Sequence, residues 1–222
     1  MNTSAPTNPT TAFRRTTWRQ AAGLLTLAAL SLVGLTGCGS SDSAAPPPAA
    51  TASVATITTV AGTGAPGYNG DNQPATAAGL RFPAGVAVDT AGTLWIADTL
   101  TTRIRKVDAA GVITTVAGGT GNGYNGDGGL ATLAQVNVPY GVAVDRAGNF
   151  WIADSQNHRI RKVDAITGVI TTVAGTGTAG YNGDNQPATA AQVNGPAGVA
   201  VDTAGNLWIA DLSNHRIRKV GL

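Results

Sequence analysis

Gly85-Val86-Ala87-Val88-Asp89, Leu94-Trp95-Ile96-Ala97-Asp98 and Arg103-Ile104-Arg105-Lys106-Val107 are three short runs rich in Val, Ile and Trp. Asp89-Thr-Ala-Gly92-Thr separates the first two, and a short link ending at Thr102 separates the next two. After Asp108-Ala-Ala-Gly111 comes a fourth run, Val112 to Ala117. Short β-branched runs bounded by Gly and Asp turn signals predict strands, not helices. We label them a (85–89), b (94–98), c (103–107) and d (112–117).

The same words recur along the chain. WIAD begins at Trp95, Trp151 and Trp208, so the period is 56 and then 57 residues. GVAVD at Gly85, Gly141 and Gly198, RIRKV at Arg103, Arg159 and Arg216, and YNGD at Tyr68, Tyr124 and Tyr181 keep the same offsets. The added residue lies where Asp108-Ala-Ala-Gly111 becomes Asp164-Ala-Ile-Thr-Gly168, a turn that tolerates a change of length. One four-stranded sheet leaves two faces and two edges uncovered, so such units must stack, and radial stacking gives a propeller. A sandwich is the alternative; close similarity at a fixed period favours blades.

GVAVD, a Gly turn, LWIAD and Asn157-His158-Arg-Ile-Arg-Lys-Val163 together resemble the NHL repeat over residues 54–222. The resemblance implies an all-β fold of three four-stranded propeller blades, half of the six-bladed ring usual in that family. It also implies an interaction platform; related propellers include lyases and hydrolases that use a metal in the central channel. The array begins with a lone strand d at 54–61 and stops after a strand c at Val220, so its two ends complement each other. We expect a homodimer in which each N-terminal strand completes the partner's last blade and removes two open edges. A fragment of a longer protein and an open arc docked on another protein are the alternatives.

Residues 1–37 read as a signal peptide. Arg14, Arg15 and Arg19 precede the uncharged run Ala21 to Leu35, which is shorter than the roughly 20 apolar residues of a spanning helix. Leu35-Thr36-Gly37-Cys38 resembles the bacterial lipobox, which implies lipidation at Cys38, and Arg14-Arg15 leaves Sec and twin-arginine export both open. Residues 38–53 are small, polar and Pro-rich, a tether reaching roughly 40 Å from the bilayer. The expected location is the cell envelope, outside the cytoplasm, with the membrane as partner through the lipid.

Of 14 Lys and Arg, three leave with that peptide, so 11 face 12 acids, every one an Asp. The balance near minus one weakens the case for a nucleic-acid partner that the basic whole-chain charge suggests, and none is expected. With one Cys in the chain, no disulfide can staple the fold.

Candidate chemistry is sparse. Asp98 with Arg103, Asp154 with Arg159 and Asp211 with Arg216 flank the b–c turns and read as structural ion pairs across a hairpin mouth. His158 and His215 sit in those turns without the company a metal centre needs, so no metal and no cofactor is expected. Gly62-Thr-Gly64-Ala-Pro-Gly67 matches GxGxxG, yet it opens a loop and not a helix. Asp71, Asp127 and Asp184 lack the alternating ligands of an EF-hand and read as backbone caps. Trp95, Trp151 and Trp208 read as core between blades, not stacking platforms. A ring of Arg105, Lys106 and their counterparts could attract polyanions. Pro74 and the alanines after it predict one helical turn.

Near-copies place a specific site where they differ. The most variable stretch is Leu80-Arg81-Phe82-Pro83-Ala84 against Val136-Asn-Val-Pro-Tyr140 and Val193-Asn-Gly-Pro-Ala197. It enters strand a, the innermost strand of a propeller, so Arg81, Phe82 and Tyr140 are the candidate ligand-binding residues at the channel mouth. No nucleophile and base stand together, hence no catalytic residue is expected and a non-enzymatic binding or scaffold module leads, recognising a protein, peptide or glycan. A metal-dependent lyase or hydrolase and a purely structural surface repeat are the alternatives.

Overall fold

A computed structural model describes residues 55–221 of the chain. The signal peptide read at 1–37, Cys38 and the whole tether at 38–53 lie outside the described residues.

Turn chemistry sets the strands. The Asp89 carboxylate accepts the N–H groups of Ala91 and Thr93, both at 2.9 Å, and Asp145 and Asp202 do the same in their repeats. Asp108 likewise accepts from Ala110 and Val112. Gly92 and Gly111 complete these turns at φ +82° and +78°, where a Cβ is disfavoured.

The described residues form β1 (Gln73–Pro74), β2 (Pro83–Val88), β3 (Leu94–Asp98), β4 (Arg103–Val107), β5 (Val112–Gly118), β6 (Pro139–Val144), β7 (Phe150–Asp154), β8 (Arg159–Val163), β9 (Ile170–Ala174), β10 (Pro196–Val201), β11 (Leu207–Asp211) and β12 (Arg216–Val220). They make three antiparallel sheets, in the orders β1-β5-β4-β3-β2, β6-β7-β8-β9 and β10-β11-β12. Register is conserved from sheet to sheet, with Trp95 opposite Lys106, Trp151 opposite Lys162 and Trp208 opposite Lys219. Strands b and c fall where the sequence puts them. Strand a starts earlier than expected, at the Pro of a bulge, and β1 is an unanticipated fifth strand in the first sheet.

No α-helix occurs among the described residues. Single 3-10 turns occupy Ala75–Ala77, Ala131–Leu133 and Ala188–Ala190, the first beginning just after Pro74 as expected. Three more fill the b–c links, ending at Thr102, His158 and His215 in the left-handed region.

The sheets stack as propeller blades. β2, β6 and β10 pack in succession on the inside. A Cβ on Gly141 would lie 2.7 Å from the Ala197 carbonyl oxygen, and one on Gly85 would strike the Tyr140 carbonyl. In the first two copies the Gly of GVAVD is therefore required by the backbone of the next blade and not by its own turn, whereas a Cβ on Gly198 would meet only the Ala210 Cβ, at 3.3 Å. Trp95, Ala97 and Ile104 of the first blade bury against Val142, Phe150 and Ile152 of the second, with the Trp95 and Phe150 rings 4.7 Å apart. Trp151, Ala153 and Ile160 repeat the contact against Leu207 and Ile209 of the third. These cores are what hold an arc of blades together.

One expected element is corrected. Residues 55–60 are not a strand, and Ile57 is 99% exposed. A strand exists only where a ladder partner stands beside it. The strand-c edges of the first two blades are taken by β5 and β9, and the vacant one among the described residues, on β12, belongs to the third blade.

Candidate functional site

The rim corner before each strand a has one backbone shape. Phe82, Val138 and Gly195 adopt φ of +56°, +54° and +55°. A buried carboxylate from the end of strand b holds each corner: Asp98 accepts the Arg81 N–H at 2.7 Å, Asp154 that of Asn137 at 2.8 Å and Asp211 that of Asn194 at 2.7 Å. The Leu100 N–H donates back to the Arg81 carbonyl at 3.0 Å. Shape is thus fixed from within, which leaves the side chain at the corner free to vary.

At the boundary of the first and second blades that side chain is Phe82, 59% exposed, and its ring meets Tyr140 edge-on at 6.4 Å and 83°. Arg81 gives its backbone to the corner and leaves its side chain exposed. The structure therefore brings Phe82 and Tyr140 together from different blades, with Arg81 next in the chain. At the next boundary His158 Nδ1 accepts the Gly195 N–H at 3.1 Å, so the neutral ring carries its proton on Nε2. Burial and the Arg159 charge beside it hold His158 below the ordinary histidine range.

The three predicted ion pairs need correction. Asp98 and Arg103 stand opposite each other in the ladder, but the Arg103 guanidinium turns to the carbonyls of Thr101 (2.7 Å) and Gly119 (3.2 Å) and lies 3.8 Å from the Tyr68 ring centroid. Arg159 and Arg216 sit over Tyr124 and Tyr181 in the same way. The cation nearest each buried Asp is the second Arg of RIRK: Arg105 is 3.9 Å from Asp98, Arg161 3.7 Å from Asp154, and Arg218 3.7 Å from Asp211. Alternation along the strand puts both arginines on one face, and only the second reaches inward beneath the loop.

That second Arg has a closer partner in YNGD. Asp71, Asp127 and Asp184 accept from Arg105, Arg161 and Arg218 at 2.9, 2.6 and 2.9 Å, and the Tyr hydroxyl of each loop donates to the same carboxylate. These aspartates are ion-pair partners and not merely caps. Arg105 and Arg161 are fully buried and so drop out of the expected polyanion-attracting ring, while Lys106 and Lys162 stay partly exposed and Lys219 exposed. The pairing of YNGD with RIR was missed, although the two words travel together in all three repeats.

Burial pushes the Asp154 carboxyl up to about 6, against the donors Asn157 and Asn137 and the charge of Arg161. Asp127 goes the other way: burial opposes ionisation, but hydrogen bonds from Thr172, Tyr124 and Arg161 outweigh it and hold the group below its ordinary value. Trp95 and Trp151 are core as expected, whereas Trp208 is exposed, because no blade among the described residues covers its face. Among the described residues no three His, Cys, Asp or Glu side chains gather as a metal site.

The model of the Teneurin NHL domain matches residues 51–125 and 121–180, and that of the NHL repeat matches 193–220. The chain belongs to the NHL-repeat family. NHL repeat-containing protein 2 of Bos taurus is 33% identical over 156 residues, which is 65% of this chain and 21% of that protein. A Caenorhabditis elegans protein named "Probable peptidyl-alpha-hydroxyglycine alpha-amidating lyase" is 34% identical over 83 residues, 37% of this chain and 22% of that one. Among solved structures, an auxiliary nutrient binding protein from Bacteroides thetaiotaomicron is 26% identical with a TM-score of 0.51, covering 61% of this chain and 36% of that one. This NHL-repeat chain spans about a fifth of the length of these two relatives.

Proposed function

We propose that this NHL-repeat protein is a non-enzymatic binding or scaffold module, anchored by a lipid on Cys38 to a bacterial envelope membrane and facing outside the cytoplasm. It recognises a protein, peptide or glycan through the rim formed by Arg81, Phe82 and Tyr140. The observation that carries this reading is the Phe82 and Tyr140 pair: two partly exposed aromatics meet edge-on across a blade boundary, at corners whose equivalents in the other copies bear Val138, Ala84, Gly195 and Ala197. Aromatic faces beside an Arg suit the apolar faces of sugars and peptide side chains, and such residues dominate binding energy where they are anchored. The likeness to a solved nutrient-binding protein supports a binding role.

The test is a screen of the full chain against arrayed oligosaccharides and peptides, run beside the Arg81→Ala/Phe82→Ala/Tyr140→Ala variant. Loss of at least about tenfold in affinity is expected on removing such anchors. Unchanged binding by the variant would reject this rim.

A second reading is a metal-dependent lyase or hydrolase, its lyase chemistry favoured by the likeness to the C. elegans protein named as a lyase. It predicts a stoichiometric divalent ion in the purified chain by elemental analysis, which the binding-module reading does not.

A further inference from the structure

A cleft of about 600 Å³ runs along the outer edge of β12, lined among others by Pro187, Val193, Ile209, Arg218 and Val220. In the first two blades the corresponding edge carries β5 and β9, whose Ile113 and Ile170 are fully buried. In the third blade Arg218 keeps some exposure and Asp184 is far more open than Asp71 or Asp127. The edge is built for a strand that the described residues of this blade do not supply.

A segment with the right sequence lies elsewhere. Ile57-Thr58-Thr59-Val60-Ala61-Gly62 repeats Ile113–Gly118 and Ile170–Gly175 residue for residue, yet pairs with nothing over 55–60. Its end is fixed on the open side of the first blade: the Gly62 N–H donates to the Ala75 carbonyl at 2.9 Å, as the Gly175 N–H donates to Ala188 at 3.0 Å. The segment therefore stands where β9 stands before the third blade, with no strand c beneath it. The cleft on β12 of the same chain is out of its way, because β6 lies between β2 and β10.

We infer that residues 57–62 of one copy form the fourth strand of the third blade in a second copy, and reciprocally, so that two chains close one ring. The exposed faces agree with this. Trp208 and Ile217 on the outer face of the third blade correspond to Trp95 with Ile104 and Trp151 with Ile160, which the next blade buries. Val86 and Val88 on the opposite, open face of the first blade correspond to Val142 and Val144, which the preceding blade covers. Two copies thus make the contact that the chain already makes twice within itself. The register follows from Val107 opposite Ile113, Lys106 opposite Thr114 and Arg105 opposite Thr115. It places Ile57 opposite Val220, Thr58 opposite Lys219 and Thr59 opposite Arg218, with Thr59 beside Asp184 as Thr115 is beside Asp71.

The experiment uses the full chain with its single thiol removed by Cys38→Ser. Antiparallel partners have Cα atoms about 4.5–5.5 Å apart, within disulfide reach. Thr58→Cys with Lys219→Cys should oxidise to a covalent dimer, and the two single variants mixed should link to each other. Thr58→Cys with Arg218→Cys, one residue out of register, should stay unlinked. Failure of the in-register pair to link, or its closure within one chain, would overturn the inference; a different segment on the edge of β12 gives the same failure. Ile57→Asp provides an independent readout. Ile57 touches little within its own chain, so circular dichroism should stay unchanged while the sedimenting mass falls from two chains to one. A wild-type mass of one chain would refute strand exchange. Neither measurement depends on the ligand.

Discussion

The second and third blades share their words but not their surroundings. Trp151 and Trp208 occupy the same place on strand b, yet one is 5% and the other 41% exposed, and Ile160 and Ile217 on strand c are 0% and 73% exposed. Nothing in either strand accounts for the contrast. In a repeat array burial is conferred by the neighbouring unit, so identical residues stabilise the fold to different degrees depending on where in the row they stand.

The contrast breaks most sharply with alanine. Ile160→Ala opens a hole between two packed blades and should cost about 2–5 kcal/mol in urea unfolding. Ile217→Ala in dilute protein should fall within about 0.5 kcal/mol of wild type, as for other exposed positions. Equal losses at low concentration would show that the outer face is covered within a single chain.

A second difference is electrostatic. Asp154 holds its proton up to about pH 6 in the folded blade, against an ordinary value of 3.8. Between those values the folded chain keeps a proton that the unfolded chain has released. This contribution to stability is therefore complete below about 3.8 and lost as pH rises through about 6, a change on the order of 3 kcal/mol. Asp154→Asn should flatten unfolding free energy measured from pH 4 to 6.5; an unchanged slope would place the responsible group elsewhere.

The smallest effect concerns the first blade. Asn157 Nδ2 donates to Asp154 at 2.9 Å and to the Gly123 carbonyl at 2.7 Å, and Asn214 serves Asp211 and Gly180 likewise. Thr101 holds that place in the first blade and donates only to the Asp98 carbonyl, leaving the buried Oδ2 of Asp98 without a donor. Thr101→Asn should raise stability by about 1 kcal/mol in the same assay. A loss instead would mean that the first blade has repacked around threonine.

Strand positions were legible because Asp and Gly mark the turns chemically: the carboxylate of Asp89 and the left-handed Gly92 can do little else. The three-blade organisation was legible from the period. Which Arg meets which Asp was not, since Arg103 and Arg105 share a face and their fates are decided by a loop more than thirty residues upstream. The contact of Phe82 with Tyr140 was foreseen only as a shared rim. The failure at residues 55–60 has another origin: the segment repeats the words of strand d, but a word becomes a strand only when an edge is offered to it.

The turn from Asp164 to Gly168 carries one residue more than its counterpart at Asp108 to Gly111, and it absorbs the excess locally. Asp164 accepts the N–H groups of Ile166 and Thr167 and the Thr167 hydroxyl, while Ile166 projects into solvent and the ladder from β8 to β9 keeps its alignment. Growth at the periphery is thereby uncoupled from spacing at the axis, where the glycines of the inner strands leave no slack. A lineage of such arrays can lengthen or decorate its circumference while the hub stays rigid.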